Sequence, residues 1–173
     1  YGQQDDGIDI DQAYSGTVSN ALVIQTTESG SAFEIDGPEG NMEGAFTLRN
    51  ITVDASNLDG KYLADFRSRA MGTLENIYMF NISADGSSVN IADNNTAANY
   101  NAGELIFDSW ELALPEGKEI ADLFTTLDED GNPITTQVSN AAFVDNVTAV
   151  EEGTVGADLS QFNWTLTKAL GAF

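Results

Sequence analysis

Four stretches of the chain are variants of one segment: Gly16-Thr17-Val18-Ser19-Asn20-Ala21-Leu22-Val23, Thr47-Leu48-Arg49-Asn50-Ile51-Thr52-Val53, Gly72-Thr73-Leu74-Glu75-Asn76-Ile77-Tyr78-Met79 and Gln137-Val138-Ser139-Asn140-Ala141-Ala142-Phe143. The long last interval leaves room for a degenerate copy, Gly103-Glu104-Leu105-Ile106-Phe107-Asp108-Ser109-Trp110. A second family alternates with the first. Gly7-Ile8-Asp9-Ile10-Asp11 matches Ala32-Phe33-Glu34-Ile35-Asp36, with weaker relatives Leu63-Ala64-Asp65-Phe66 and Val89-Asn90-Ile91-Ala92-Asp93. Apolar and polar residues alternate within each copy, as in a strand with one buried face. That pattern points Ile8, Ile10, Phe33, Ile35, Leu63 and Val89 inward. Two alternating classes of short strand with Gly, Asn or Asp at the corners describe a chain that returns to the same place every period. The fold expected is all-β: a right-handed parallel β-helix whose rungs stack about 4.8 Å apart. A β-sandwich is the runner-up, but it gives no reason for a recurring Thr-Val/Leu-x-Asn.

In a stacked fold the recurring Asn acquires a role. It tolerates the left-handed conformation at a bend, and stacked amides hydrogen-bond to one another. Asn20, Asn50, Asn76 and Asn140 are therefore a candidate internal ladder. Asn50, Asn81, Asn94, Asn146 and Asn163 also head Asn-x-Ser/Thr triplets, a glycosylation pattern that so Asn- and Thr-rich a chain produces by chance.

One domain is expected over 1–173, with rungs over 5–110, a helical insertion over 114–127, and final rungs and a cap over 134–173. The insertion places Ile120, Leu123, Phe124 and Leu127 at helical spacing after Pro115. Phe162, Trp164 and Leu166 alternate as in a terminal strand that covers the open end of the coil. The chain starts at Tyr1 with no signal-like segment, and reads as the C-terminal part of a longer polypeptide.

Composition narrows the function. Among 173 residues there are 28 Asp plus Glu, 6 Lys plus Arg, no His and no Cys, a formal charge of −22. Without His or Cys the usual Ser-His-Asp and Cys-His nucleophiles and the usual zinc, haem and iron–sulfur ligand sets are excluded. The charge argues against nucleic acid and against anionic membrane surfaces. No apolar run is long enough to span a bilayer. What remains is binding, carboxylate chemistry assisted by Arg or Lys, or hard cations. The acidic, Asn/Gly/Thr/Ser-rich composition points to an exported protein, extracellular or on a bacterial cell surface.

Calcium has an electrostatic argument. Acids stacked on successive rungs lie about 5 Å apart, which costs on the order of 1 kcal/mol in bulk water and more where water is excluded. Calcium bridges such rows with six to eight oxygens. The candidate ligands are Asp5, Asp6, Asp9, Asp11, Asp36 and Glu39, with Asp128, Asp130 and Asn132 as a separate loop. The alternative is a solvated acidic surface that keeps the chain soluble.

The Gly-Thr-Val/Leu-x-Asn repeats together with Asp5-Asp6-Gly7-Ile8-Asp9-Ile10-Asp11 resemble the pectate-lyase-like superfamily of right-handed parallel β-helices. More narrowly, residues 6–13, 34–40 and 64–67 look like exported β-helix proteins of Gram-negative bacteria. This resemblance implies a non-catalytic, adhesin-like binding or scaffold module for carbohydrate or another envelope protein. The alternative it implies is a polysaccharide lyase or glycoside hydrolase acting on uronate-rich polymers. Asp5 and Asp6 would then be the paired carboxylates, as in polygalacturonases, and Arg67 a base. The polygalacturonase pattern also carries a His between glycines and an Arg-x-Lys segment, both absent here. Cations for a uronate are limited to Arg49, Lys61, Arg67, Arg69, Lys118 and Lys168, with Arg67 and Arg69 spaced as neighbours on one strand face.

Overall fold

A computed structural model describes residues 5–25, 30–58, 62–85 and 88–173; Lys61 lies outside them. The chain is predominantly β. Strands β1 (Ile8–Ile10), β3 (Phe33–Asp36), β5 (Ala64–Arg67), β7 (Val89–Ile91) and β9 (Phe124–Thr125) form one sheet in that order. Strands β2 (Thr17–Ile24), β4 (Phe46–Asp54), β6 (Gly72–Phe80), β8 (Leu105–Leu112) and β10 (Val147–Ala149) form the other. Every pairing within the two sheets is parallel, and successive strands alternate between the sheets. Two parallel sheets fed alternately are compatible with a β-helix-like solenoid.

The registers stack like residues on like. Inward columns run Val18–Leu48–Leu74–Phe107 and Ala21–Ile51–Ile77–Trp110–Val147 in the even sheet, and Ile10–Ile35–Phe66–Ile91 in the odd one. Ala64 takes the inward place beside Phe33 and Val89; Leu63, the residue expected there, is buried just before the strand. Between the two inward residues of each of β2, β4, β6 and β8 stands a left-handed residue: Asn20 at φ 56°, Asn50 at 53°, Asn76 at 55° and Ser109 at 55°. This bend resets the alternation, so residues three apart, such as Leu48 and Ile51, both reach the core. A side chain at positive φ is strained unless, like Asn, it is short and polar. Asn76 Nδ2 donates to Asn50 Oδ1 at 3.1 Å, a rung of the expected ladder.

Asn140 stands outside this column. It precedes helix α2 (Ala141–Asn146) with right-handed backbone, and Ser109 holds the fourth place in the stack. Its segment matched by pattern, but Ala141, Ala142 and Phe143 became helical. Phe143 is fully buried against Phe107, Trp110 and Phe124, and its N–H donates to Tyr100 Oη at 3.0 Å. Thus α2 packs on the last two strands of the even sheet, β8 and β10.

The helix expected over 114–127 is replaced by turns. Gly117 adopts φ 79°, a single 3-10 turn spans Ile120–Leu123, and β9 pairs with β7. The core is better served by Phe124 in register with Val89 than by a separate helix. A helix does form at α1 (Asn94–Ala102), whose Asn-rich sequence gives it poor intrinsic propensity. Its ends compensate: Asp93 accepts from the Asn95 and Thr96 N–H groups at 2.8 and 3.0 Å, and Gly103 caps at φ 74°. Asn99 also donates to the carbonyls of Arg69 and Ala70 at the neighbouring corner.

After β10 the chain doubles back across the outer face of the even sheet as a strap. Thr154 Oγ1 donates to Glu111 of β8 at 2.6 Å, Gly153 lies on the Tyr78 ring of β6, the Ala157 N–H donates to Thr52 of β4 at 2.9 Å, and the Asp158 N–H to Asn20 of β2 at 2.7 Å. The tail ends in a 3-10 turn (Leu159–Phe162) and helix α3 (Leu166–Ala169) in place of the expected strand, with Trp164 86% exposed. Between strap and sheet runs a groove of about 390 Å³, lined by residues that include Leu22, Tyr78, Phe80, Val155 and Phe173.

Candidate functional site

Two of the acidic residues singled out in the sequence, Asp9 and Asp36, stand on the outer face of the odd sheet, because the pleat turns every second residue outward. One outward column reads Asp9–Glu34–Asp65–Asn90–Thr125, and beside it Asp36 pairs in register with Arg67. Arg67 is the centre of the cluster. Its guanidinium contacts Glu34, faces Asp36 Oδ2 at 3.4 Å and Asp65 Oδ2 at 3.6 Å, and reaches Glu129 at 4.0 Å. One cation thus serves four carboxylates. A cleft of about 350 Å³ opens beside it, lined by residues that include Tyr62, Asp65, Asn90 and Asp128.

Asp65 is the most altered group. It is 7% exposed and burial pushes its carboxyl up to about 6, against a hydrogen bond from Asn90 Nδ2 at 2.9 Å that favours the anion. Asp36 is raised by burial against the Ser68 hydroxyl, with Asp11, Asp9 and Glu129 adding repulsion. Asp9 is raised by burial and by Asp11, Asp6 and Asp5. Asn90 ties the cleft to the following loop: its Nδ2 donates to the Leu127 carbonyl and its Oδ1 accepts from the Leu127 N–H, both at 2.9 Å.

The other candidates are dispersed. Asp5 is exposed, whereas Asp6 Oδ1 accepts from the Ser31 N–H at 2.5 Å, so the two carboxylates are not presented as a catalytic pair. Asp11 is exposed just after β1. Asp128 accepts from the N–H groups of Asp130 and Asn132 at 3.0 and 2.8 Å, organising its own turn, and Asp130 is exposed. Glu39 is exposed, its N–H donating to Gln12 at 3.3 Å. Among the described residues no group of three or more acidic side chains is placed to hold a metal ion. Arg69 does not share a face with Arg67: Ser68 and Arg69 adopt φ 55° and 66°, turning Arg69 away to the Pro38 and Gly40 carbonyls.

Asp65, Tyr62 and Asn90 were not singled out as site residues by the sequence. The available signal was Asp65 in the outward column beside Arg67. No protein-family model, no curated protein and no solved structure matches the chain.

Proposed function

We propose that the chain is a right-handed parallel β-helix of the pectate-lyase-like kind, exported or held at the cell surface, and that it acts as a non-catalytic binding and scaffold module for carbohydrate or another envelope protein. The observation that carries this reading is the engagement of Arg67. A lyase or hydrolase of uronates needs a free cation to hold the substrate carboxylate, and Arg67 already faces Glu34, Asp36, Asp65 and Glu129. Its charge serves to hold acid-bearing rungs together. No helix among the described residues is long and apolar enough to cross a membrane.

The enzymatic reading is favoured by one observation, the Asp65 carboxyl near 6 in an open cleft, which suits a general acid. The two separate on incubating the protein with polygalacturonate and alginate and following unsaturated products and reducing ends. No release is expected. Release that disappears in Asp65→Asn, or in the double variant Asp5→Asn with Asp6→Asn, would replace the scaffold with an enzyme.

A further inference from the structure

The scaffold reading leaves open where a ligand sits and what it is. On the face opposite the acidic cluster, the strap and the even sheet enclose the groove of about 390 Å³, within the roughly 300–1,000 Å³ common for ligand sites. Outward positions of a sheet are normally polar, yet β6 directs Tyr78 and Phe80 outward, with ring centroids 5.4 Å apart and planes 18° apart. At that separation the half-exposed, nearly parallel rings lie in an offset stack, an aromatic step on the wall of the groove. The Gly153 backbone covers part of Tyr78, and a side chain at that position would meet its ring at 2.5 Å.

Of the polar side chains lining the groove, Thr154 already donates to Glu111 and Thr52 already accepts from Ala157, which leaves one carboxylate as an acceptor. Glu152 lines the groove with an exposed carboxylate. Among the described residues no Lys or Arg lines the groove. Lys168 lies over the Phe173 ring at 4.9 Å but donates to the Phe173 backbone oxygen at 2.9 Å. The site therefore offers an apolar ring and a carboxylate acceptor, and repels anions. A pyranose presents the complement: a face of C–H bonds attracted to the negative face of an aromatic ring, and a rim of donating hydroxyls.

We infer that the groove between the strap and the even sheet binds an uncharged oligosaccharide whose sugar face lies on the Phe80 ring of the Tyr78–Phe80 stack, which excludes uronates. This deepens the proposed carbohydrate-binding role and rests on it. The test titrates the intact chain calorimetrically with three probe sets: neutral oligomers of glucose, xylose and mannose, oligogalacturonates, and glucosamine oligomers. At least one neutral set is expected to bind with an affinity indifferent to salt. Phe80→Ala is expected to weaken it at least about tenfold, the scale of one lost stacking contact. Leu159→Trp, at the exposed rim and remote from the core, is expected to block the groove even if Phe80→Ala fails to fold.

Binding of oligogalacturonates alone, untouched by both variants, would overturn the groove assignment and leave carbohydrate binding standing elsewhere. Binding of glucosamine oligomers alone, abolished by salt, would reduce the effect to charge attraction and overturn the inference. No binding of any set would remove both the inference and the carbohydrate part of the proposed function.

Discussion

Asp65 holds a carboxyl where most of its surroundings favour the acid. Burial raises it to about 6, Asp36, Asp6 and Glu129 add to the rise, and the hydrogen bond from the Asn90 amide opposes them. In an unfolded chain it would titrate near 3.8. The folded form therefore binds the proton more tightly, and the stability this contributes is fully present below about pH 4 and lost as pH rises through about 6. Asp9 and Asp36 are shifted the same way. Glu111 and Asp158, lowered by hydrogen bonds from the strap and from Ser160, act oppositely and lose their contribution only on stronger acidification. Melting temperature is thus expected to be highest near pH 4 to 5 and to fall toward pH 7. Asp65→Asn keeps the shape and removes the titration, so it should flatten this fall and stabilise the protein at pH 7 by about 2 kcal/mol. A slope unchanged in Asp65→Asn would assign the effect to other acids. The same residue shows what could be read in advance: alternation put Asp65 on the outer face, but its burial depends on Asn90, Arg67 and the loop after Leu127, which no local pattern encodes.

The strap is the element that the repeat did not announce. Strand columns were legible because each copy carries its own pattern, and the left-handed Asn recurs within it. The strap carries no periodicity, and its partners Glu111, Thr52 and Asn20 lie 43, 105 and 138 residues away in sequence. The visible clue was in the sheet, where Leu22, Tyr78 and Phe80 occupy outward positions that solvent alone would not favour. Asn140 and the segment after Pro115 misled for the converse reason: local spacing was right, but burial of Phe143 and Phe124 in the last rungs won. The strap depends on absent side chains. A Cβ at Gly153 would meet Tyr78 at 2.5 Å, and one at Gly156, at φ 107°, would meet Thr52 Oγ1 at 2.4 Å. Gly153→Val is therefore expected to lift the strap while the sheet core remains intact. The measurement is limited proteolysis, with cleavage confined to residues 150–158 and a stability loss of about 1–2 kcal/mol. Global unfolding would make the strap part of the core, and unchanged protection would show that Tyr78 can move aside.

Across the whole molecule the charge of −22 must be reconciled with rows of like side chains, since parallel register stacks Asp9, Glu34 and Asp65 in one column and Glu75 on Asp108 in another. The structure resolves part of that conflict within the fold. Asn90 and Thr125 interrupt the Asp9–Glu34–Asp65 column, Arg67 stands beside Asp36, and hydrogen bonds occupy Asp6 and Asp128. Repulsion persists at the first strand, where burial and the charges of Asp11, Asp6 and Asp5 raise Asp9 and Arg67 only partly offsets them. Screening should relieve this, because the Debye length falls from about 30 Å at 0.01 M salt to about 3 Å at 1 M. Melting temperature is expected to rise by several degrees over that range, at about 2–4 °C per kcal/mol for a chain of this size. Calcium and magnesium at matched ionic strength separate general screening from bridging. Equal effects of the two are the outcome expected of screening alone. An increment specific to calcium, reversed by chelation and lost in Asp9→Asn with Asp11→Asn, would instead place a bound cation in those rows, stabilising the fold by mass action.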